Sequence, residues 1–179
     1  DKKIILNLGS EIARKQIPLL IRSFGEIKKS GSADLLLRHG EKTESSAKLI
    51  NELGLEKEII YRNGTLEGTL PDYYSAADVL VVTSSEEGFC LPIIEAMACG
   101  LPVVTTNRTS LPEVAGGAEA FLIQDLTIGS VVKAVVSVLN LDSDRRELIR
   151  QNVFKNAARF NWNESARQTL AIYQKILNI

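Results

Sequence analysis

The sequence has little with which to staple, span or steer. Only two of its 179 residues are cysteine, so no disulfide framework is available, and a chain of this length needs none. Cys90 and Cys99 sit in strongly apolar surroundings and read as reduced thiols. His39 is the only histidine, and no cysteine–histidine spacing suits zinc. The formal net charge of −1 argues against a nucleic-acid or membrane partner recruited by bulk electrostatics. No apolar run approaches bilayer-spanning length, and no signal-peptide pattern is visible. P-loop and G-x-G-x-x-G motifs are missing, as are internal repeats and low-complexity linkers. What is left is an ordinary globular composition, 45% hydrophobic and 24% charged, enough for one domain with a sizeable core. The expected location is the cytoplasm. Residue 1 is Asp rather than Met, which reads as a piece of something longer or a processed chain.

Short apolar runs alternate with amphipathic stretches. Ile4 to Gly9, "ADLLLR", "EIIY", "DVLVVTSS", "LPVVTT" and "EAFLI" read as strands. Between them, Ile17, Leu20, Ile21, Phe24 and Ile27 have helical spacing, and "SSAKLINELGL" reads as a helix closed by Gly54. "LPDYYSAA" and "SLPEVA" read as short helices, and longer ones are expected near 127–139, 143–158 and 163–177. Near-continuous apolar strands alternating with helices predict an α/β fold: a Rossmann-like, doubly wound parallel sheet of about six strands with helices on both faces. Ligands of such sheets bind at the carboxyl ends of the strands. That rule directs attention to Gly9–Lys15, Arg38–Glu41, Asn63–Leu66, Ser84–Leu91 and Thr105–Leu111.

The most informative stretch is "EEGFCLPIIEAMACGLP", Glu86 to Pro102. Pro92 suits the first turn of a helix, which puts the backbone N–H groups of Phe89, Cys90 and Leu91 at its start. A helix N-terminus suits a phosphate, and Gly88 would allow a sharp turn and close ligand approach. Glu95 falls in the first turn of a helix that reads as apolar almost all round, so its carboxylate needs hydrogen-bond donors. Glu87 stands on the loop above. Two carboxylates beside a diphosphate make sense as acceptors for vicinal sugar hydroxyls, with Arg14 and Lys15 supplying the cation. Taken alone, Glu95 could merely favour its own helix end and Glu87 could be a solvated loop residue. Asp142-x-Asp144 lies between two predicted helices and reads as a helix cap, and His39 as a polar strand-end residue. No catalytic metal is expected.

In its surroundings the stretch resembles the donor-binding C-terminal domain of retaining GT-B glycosyltransferases, group 1 or family 4. That family's signature E-G-F-x-L-P-x-x-E-A-M-A-x-G-x-P-V-V runs here from Glu87 to Val104. "YYSAADVLVVTSS", "SLPEVAGG" and the tail "FNWNESARQTLAIYQKIL" are similar as well, so the resemblance covers essentially residues 1–179 as one nucleotide-sugar-binding domain. It implies a hexosyltransferase-type enzyme that moves sugar from a nucleotide-diphosphate donor with retention of configuration. The acceptor-binding N-terminal domain would be a missing partner, and the acceptor a glycan or a lipid-linked molecule. The full-length protein would be cytoplasmic, either free or peripheral at the inner membrane face. Glu95 would bind ribose hydroxyls, and Glu87, with Lys15 one of the catalytic pair, hydroxyls of the transferred sugar. The amides of Gly88, Phe89, Cys90 and Leu91 would hold phosphate and sugar oxygens. Lys15 would neutralise the diphosphate beside Gly9 and Ser10, and the loop with Thr65 and Leu66 would face the base. No separate cofactor is implied.

One position departs from the pattern. The family often has Gly-Arg after the first strand, and here the pair is Gly9-Ser10. The departure leaves open weaker donor binding, substitution by Arg14, or a non-catalytic sugar-nucleotide-binding or protein-interaction module of the same fold. The closing helix should carry an apolar face of Ala166, Leu170, Tyr173 and Leu177, capped by Asn161 with Glu164 three residues on. Exposed, that face would favour self-association.

Overall fold

The structure is a computed structural model and describes residues 2–64, 69–116 and 121–177. Six strands form one sheet: β1 Ile4–Leu8, β2 Leu35–His39, β3 Ile59–Arg62, β4 Val79–Val82, β5 Val103–Thr106 and β6 Phe121–Ile123. Every pairing is parallel, in the order β3-β2-β1-β4-β5-β6. The helices are α1 Ile17–Lys29, α2 Glu44–Leu53, α3 Leu70–Ala76, α4 Leu91–Ala98, α5 Leu111–Val114, α6 Ile128–Leu139, α7 Ser143–Ala157 and α8 Trp162–Leu177. Each expected strand and helix is present, with ends shifted by up to three residues among those described.

Alternation along the strands explains why both faces are covered. Ile5, Val79, Val81 and Val104 point to one face, where they pack with α1, α2 and α6. Leu6, Leu80, Val82 and Val103 point to the other, under α3, α4, α5 and α7. With successive side chains on opposite faces, a central strand such as β4, buried at all four residues, must be apolar throughout. The helices close over these faces in pairs, α1 against α6 and α4 against α7.

Local signals set the helix ends. Thr43 caps α2 by accepting from Ser46 N, Thr127 caps α6 from Ser130 N, and Asp142 caps α7 from Arg145 N. Asp142 thus does the capping work the sequence suggested. Asn161 Oδ1 accepts from the amides of Asn163 and Glu164 at the start of α8. No residue of α8 is buried, and Trp162, Leu170, Tyr173 and Leu177 are all exposed. Among the described residues no helix is long and apolar enough to cross a membrane.

Candidate functional site at the carboxyl ends of β1 and β4

The strand order reverses between β1 and β4: from β1 the chain goes on to β2 and β3 on one side, from β4 to β5 and β6 on the other. A crevice opens outside the carboxyl ends at such a point. Gly9, just past β1, has φ +121°, a conformation that L side chains rarely adopt. The Lys15 side chain lies over it, with Nζ 3.6 Å from where a Cβ would stand. Gly40, past β2, has no room for a side chain at all, because a Cβ there would come within 2.4 Å of Gly9 O. Ser10 is exposed.

A short 3-10 turn, Ala13–Lys15, returns the chain to the end of β4. Its backbone is fastened there: Ser85 N donates to Arg14 O at 2.7 Å, and Thr83 Oγ1 donates to Lys15 O at 2.9 Å. Both basic side chains then converge on one carboxylate. Lys15 Nζ is 2.6 Å from Glu87 Oε1, and Arg14 Nη1 is 2.6 Å from Glu87 Oε2. Whether neighbours in a turn would point the same way was open from the sequence; here they do.

Glu87 is not the solvated rim residue of the simplest reading, since its side chain is only 7% exposed. Ser84 Oγ donates to Oε1 at 2.8 Å. Thr109 Oγ1 accepts from Glu87 N at 3.0 Å, and Ser110 Oγ donates to Glu87 O at 2.8 Å. Burial alone would raise the Glu87 pKa. Hydrogen bonds from Lys15, Ser84 and Arg14 outweigh it and hold the carboxyl below its ordinary value.

The start of α4 departs from expectation in one detail. Gly88 faces open space and lacks a positive φ; the left-handed turn falls on Cys90, at φ 75° and ψ 70°. A non-glycine residue pays for that conformation with steric strain. Among the described residues, the N–H groups of Gly88, Phe89, Cys90 and Leu91 have no protein acceptor, which leaves an array of donors at a helix N-terminus. Burial pushes the Cys90 thiol up to about 11, so it stays protonated and unreactive at neutral pH.

The helix is also less buried than its composition suggests. Ile93, Ala96 and Met97 face the core, Leu91 and Ala98 are exposed, and Glu95 is half-buried. The donor Glu95 needs comes from α3, where Tyr74 Oη donates to Oε2 at 2.7 Å. Burial and the bond to Glu95 raise the Tyr74 pKa, which keeps it a neutral donor.

A second cluster behind Gly9 was not foreseen. Arg38 is fully buried. Its Nη1 donates to Asn7 Oδ1 and its Nη2 to Gly9 O at 2.9 Å, with Glu11 Oε1 3.8 Å from Nη2. Glu11 also accepts from Tyr61 Oη and from Thr43 Oγ1, each at 2.5 Å. Burial works to raise the Glu11 carboxyl, but the bonds from Thr43 and Tyr61 leave it below its ordinary value. The cluster ties the loop after β1 to β2, β3 and the cap of α2.

Of the residues singled out in the sequence, Gly9, Lys15 and Glu87 meet between the first and fourth strand ends, with Gly88 beside them; the side chains of Phe89 and Leu91 turn away to a separate cavity with Phe160 and Trp162, Cys90 is buried in the core, and Glu95 follows within α4. Thr65 and Leu66 lie outside the described residues. His39 Nε2 lies 3.0 Å from Gly64 O, consistent with a polar strand-end role. Among the described residues no group of three or more His, Cys, Asp or Glu is arranged to hold a metal. Ser84, Tyr74, Thr109 and Ser110 were missed, though the strand-end rule had marked the loops that carry three of them.

The family described as "Glycosyl transferases group 1" matches residues 1–155. The chain is 40% identical over 105 residues to O-antigen chain mannosyltransferase B of Escherichia coli, covering 59% of this chain and 27% of that one. It is 28% identical over 178 residues to MMP alpha-(1->4)-mannosyltransferase of Mycolicibacterium hassiacum, covering 98% and 43%. Among solved structures, sucrose-phosphate synthase from Thermosynechococcus elongatus superposes with a TM-score of 0.87 at 26% identity, covering 99% of this chain and 46% of that one. The chain spans less than half the length of each of these relatives.

Proposed function

The chain belongs to the group 1 glycosyl transferases, and on that premise we propose that it is the donor-binding half of a retaining, family 4 hexosyltransferase of the GT-B type. It binds a nucleotide-diphosphate sugar, and a separate N-terminal domain brings the acceptor, a glycan or a lipid-linked molecule. The proposed setting is the cytoplasm or the inner membrane face.

One observation carries the reading. Four backbone N–H groups with no acceptor among the described residues, at Gly88 to Leu91, lie at the start of α4, and the same loop carries Glu87, on which the cations Arg14 and Lys15 converge. Amides and cations together suit a diphosphate. Glu95, half-buried and fixed by Tyr74 through one oxygen, keeps its other oxygen for the vicinal hydroxyls of a ribose. Glu87 accepts hydroxyls of the transferred sugar. Lys15 offsets charge on the departing diphosphate, which is electrostatic stabilisation of the leaving group. No metal ion is assigned a role.

Arg14 answers the Gly9-Ser10 departure. It supplies the second cation from the turn rather than from the position after Gly9. A non-catalytic nucleotide-sugar-binding module remains the second reading, favoured by the uncharged, exposed Ser10.

Calorimetric titration with UDP, GDP and ADP and their sugar conjugates tests the reading. One of these should bind, and Glu95→Ala should weaken it. If none binds at millimolar concentration, the donor-binding reading fails.

A further inference from the structure

Glu87 presents a conflict that the binding reading alone does not resolve. The two cations that would grip a diphosphate are already taken, each within 2.6 Å of a Glu87 oxygen. We propose that Glu87 is a placeholder anion: its carboxylate bridges Arg14 and Lys15 in the position that one phosphoryl group of the diphosphate takes, and it leaves that position when the diphosphate binds. This rests on the nucleotide-sugar reading of the site.

Three features of the site support it. A carboxylate offers two oxygens on one centre, as a phosphoryl group does, so a cation pair spaced for one accepts the other. The Glu87 backbone is clamped by Thr109 and Ser110, so displacement needs only a side-chain rotation. There is also room for it, because a cavity of about 450 Å³, lined by Arg14, Glu86, Glu87, Gly88 and Thr109, opens beside the carboxylate.

The displaced carboxylate makes Glu87 a specificity determinant. Off the cations it has lost both charged partners, and a bare diphosphate offers it none. A diphosphate that carries a sugar offers hydroxyls. The site therefore favours donor over spent nucleoside diphosphate.

The test is calorimetry with inorganic pyrophosphate, nucleoside diphosphates and nucleotide sugars on the wild-type chain and on Glu87→Gln. Thermal unfolding scans confirm that the variant folds. Glu87→Gln should bind pyrophosphate about tenfold tighter or more, the scale of one charge-assisted contact. The preference for nucleotide sugar over nucleoside diphosphate should shrink, and adding Arg14→Gln should remove the gain. Glu87→Asp, one methylene too short to bridge both cations, should show a smaller gain and serves if the amide variant does not fold. Unchanged or weaker pyrophosphate binding by folded Glu87 variants overturns the placeholder, as does binding by none of the proteins. If the variant gains pyrophosphate affinity but no protein binds any nucleotide, the placeholder stands and the nucleotide-sugar reading falls.

Discussion

Tyr74 and Glu95 meet at 2.7 Å, with the tyrosine of α3 donating to a carboxylate of α4. The bond fixes the orientation of Glu95 and leaves its second oxygen open. If that oxygen takes ribose hydroxyls, Tyr74→Phe should weaken a nucleoside diphosphate by roughly tenfold, in line with losing one hydrogen bond to a charged group. Inorganic pyrophosphate has no ribose and should be unaffected. Calorimetry with both ligands decides: equal weakening of the two would remove Glu95 from the ribose position.

Arg38 and Glu11 make a different prediction, about stability. Arg38 is fully buried and the Glu11 side chain is 4% exposed. Removing one partner strands the other. Arg38→Met should cost about 3–5 kcal/mol, the usual range for a broken buried pair. Adding Glu11→Gln should recover part of that loss. Urea unfolding of the two variants would show it, and a double variant no more stable than the single one would contradict the pairing.

Two carboxyls away from solvent, Glu11 and Glu87, are held below their ordinary value and contribute to the acid limit of the fold. Each has a folded-state pKa below the ordinary 4.5. Each therefore contributes stability that is fully present above that ordinary value and is lost as pH falls through the lower, folded-state value. The unfolding temperature should be nearly flat above the ordinary carboxyl value of 4.5 and fall as the pH is taken below it. Glu87→Gln should flatten part of that fall. An unfolding temperature that does not change over this interval would mean the two carboxyls titrate alike in folded and unfolded chains.

Helix α8 leaves Trp162 81%, Tyr173 59% and Leu177 64% exposed. Apolar surface on that scale favours contact with another surface. The 179-residue chain should self-associate with rising concentration in sedimentation velocity runs, and Leu170→Ser with Tyr173→Ser should reverse it. A strictly monomeric wild-type chain would sink this expectation.

The sheet was legible because buried strands such as "VLVV" and helices such as Ile17–Lys29 carry their environment in their spacing. The start of α4 was legible for a similar reason, since Pro92 and the surrounding motif act locally. What stayed hidden depends on partners far apart in the chain. Tyr74 and Glu95 are 21 positions apart, and Arg38 and Asn7 are 31 apart. No local pattern marks Arg38 as buried, because strand-end arginines usually face water. The positive φ at Cys90 rather than at Gly88 was hidden as well. Residue preference points to the glycine, while the left-handed residue is the buried Cys90.

The proposed function stands on a diphosphate binding at the mouth of β1 and β4. The most direct measurement is an amide-resolved NMR titration of the chain with a nucleoside diphosphate. Saturable shifts should concentrate at Gly9, Lys15 and the amides of Gly88 to Leu91. Shifts confined to another surface, or none at millimolar ligand, would contradict it.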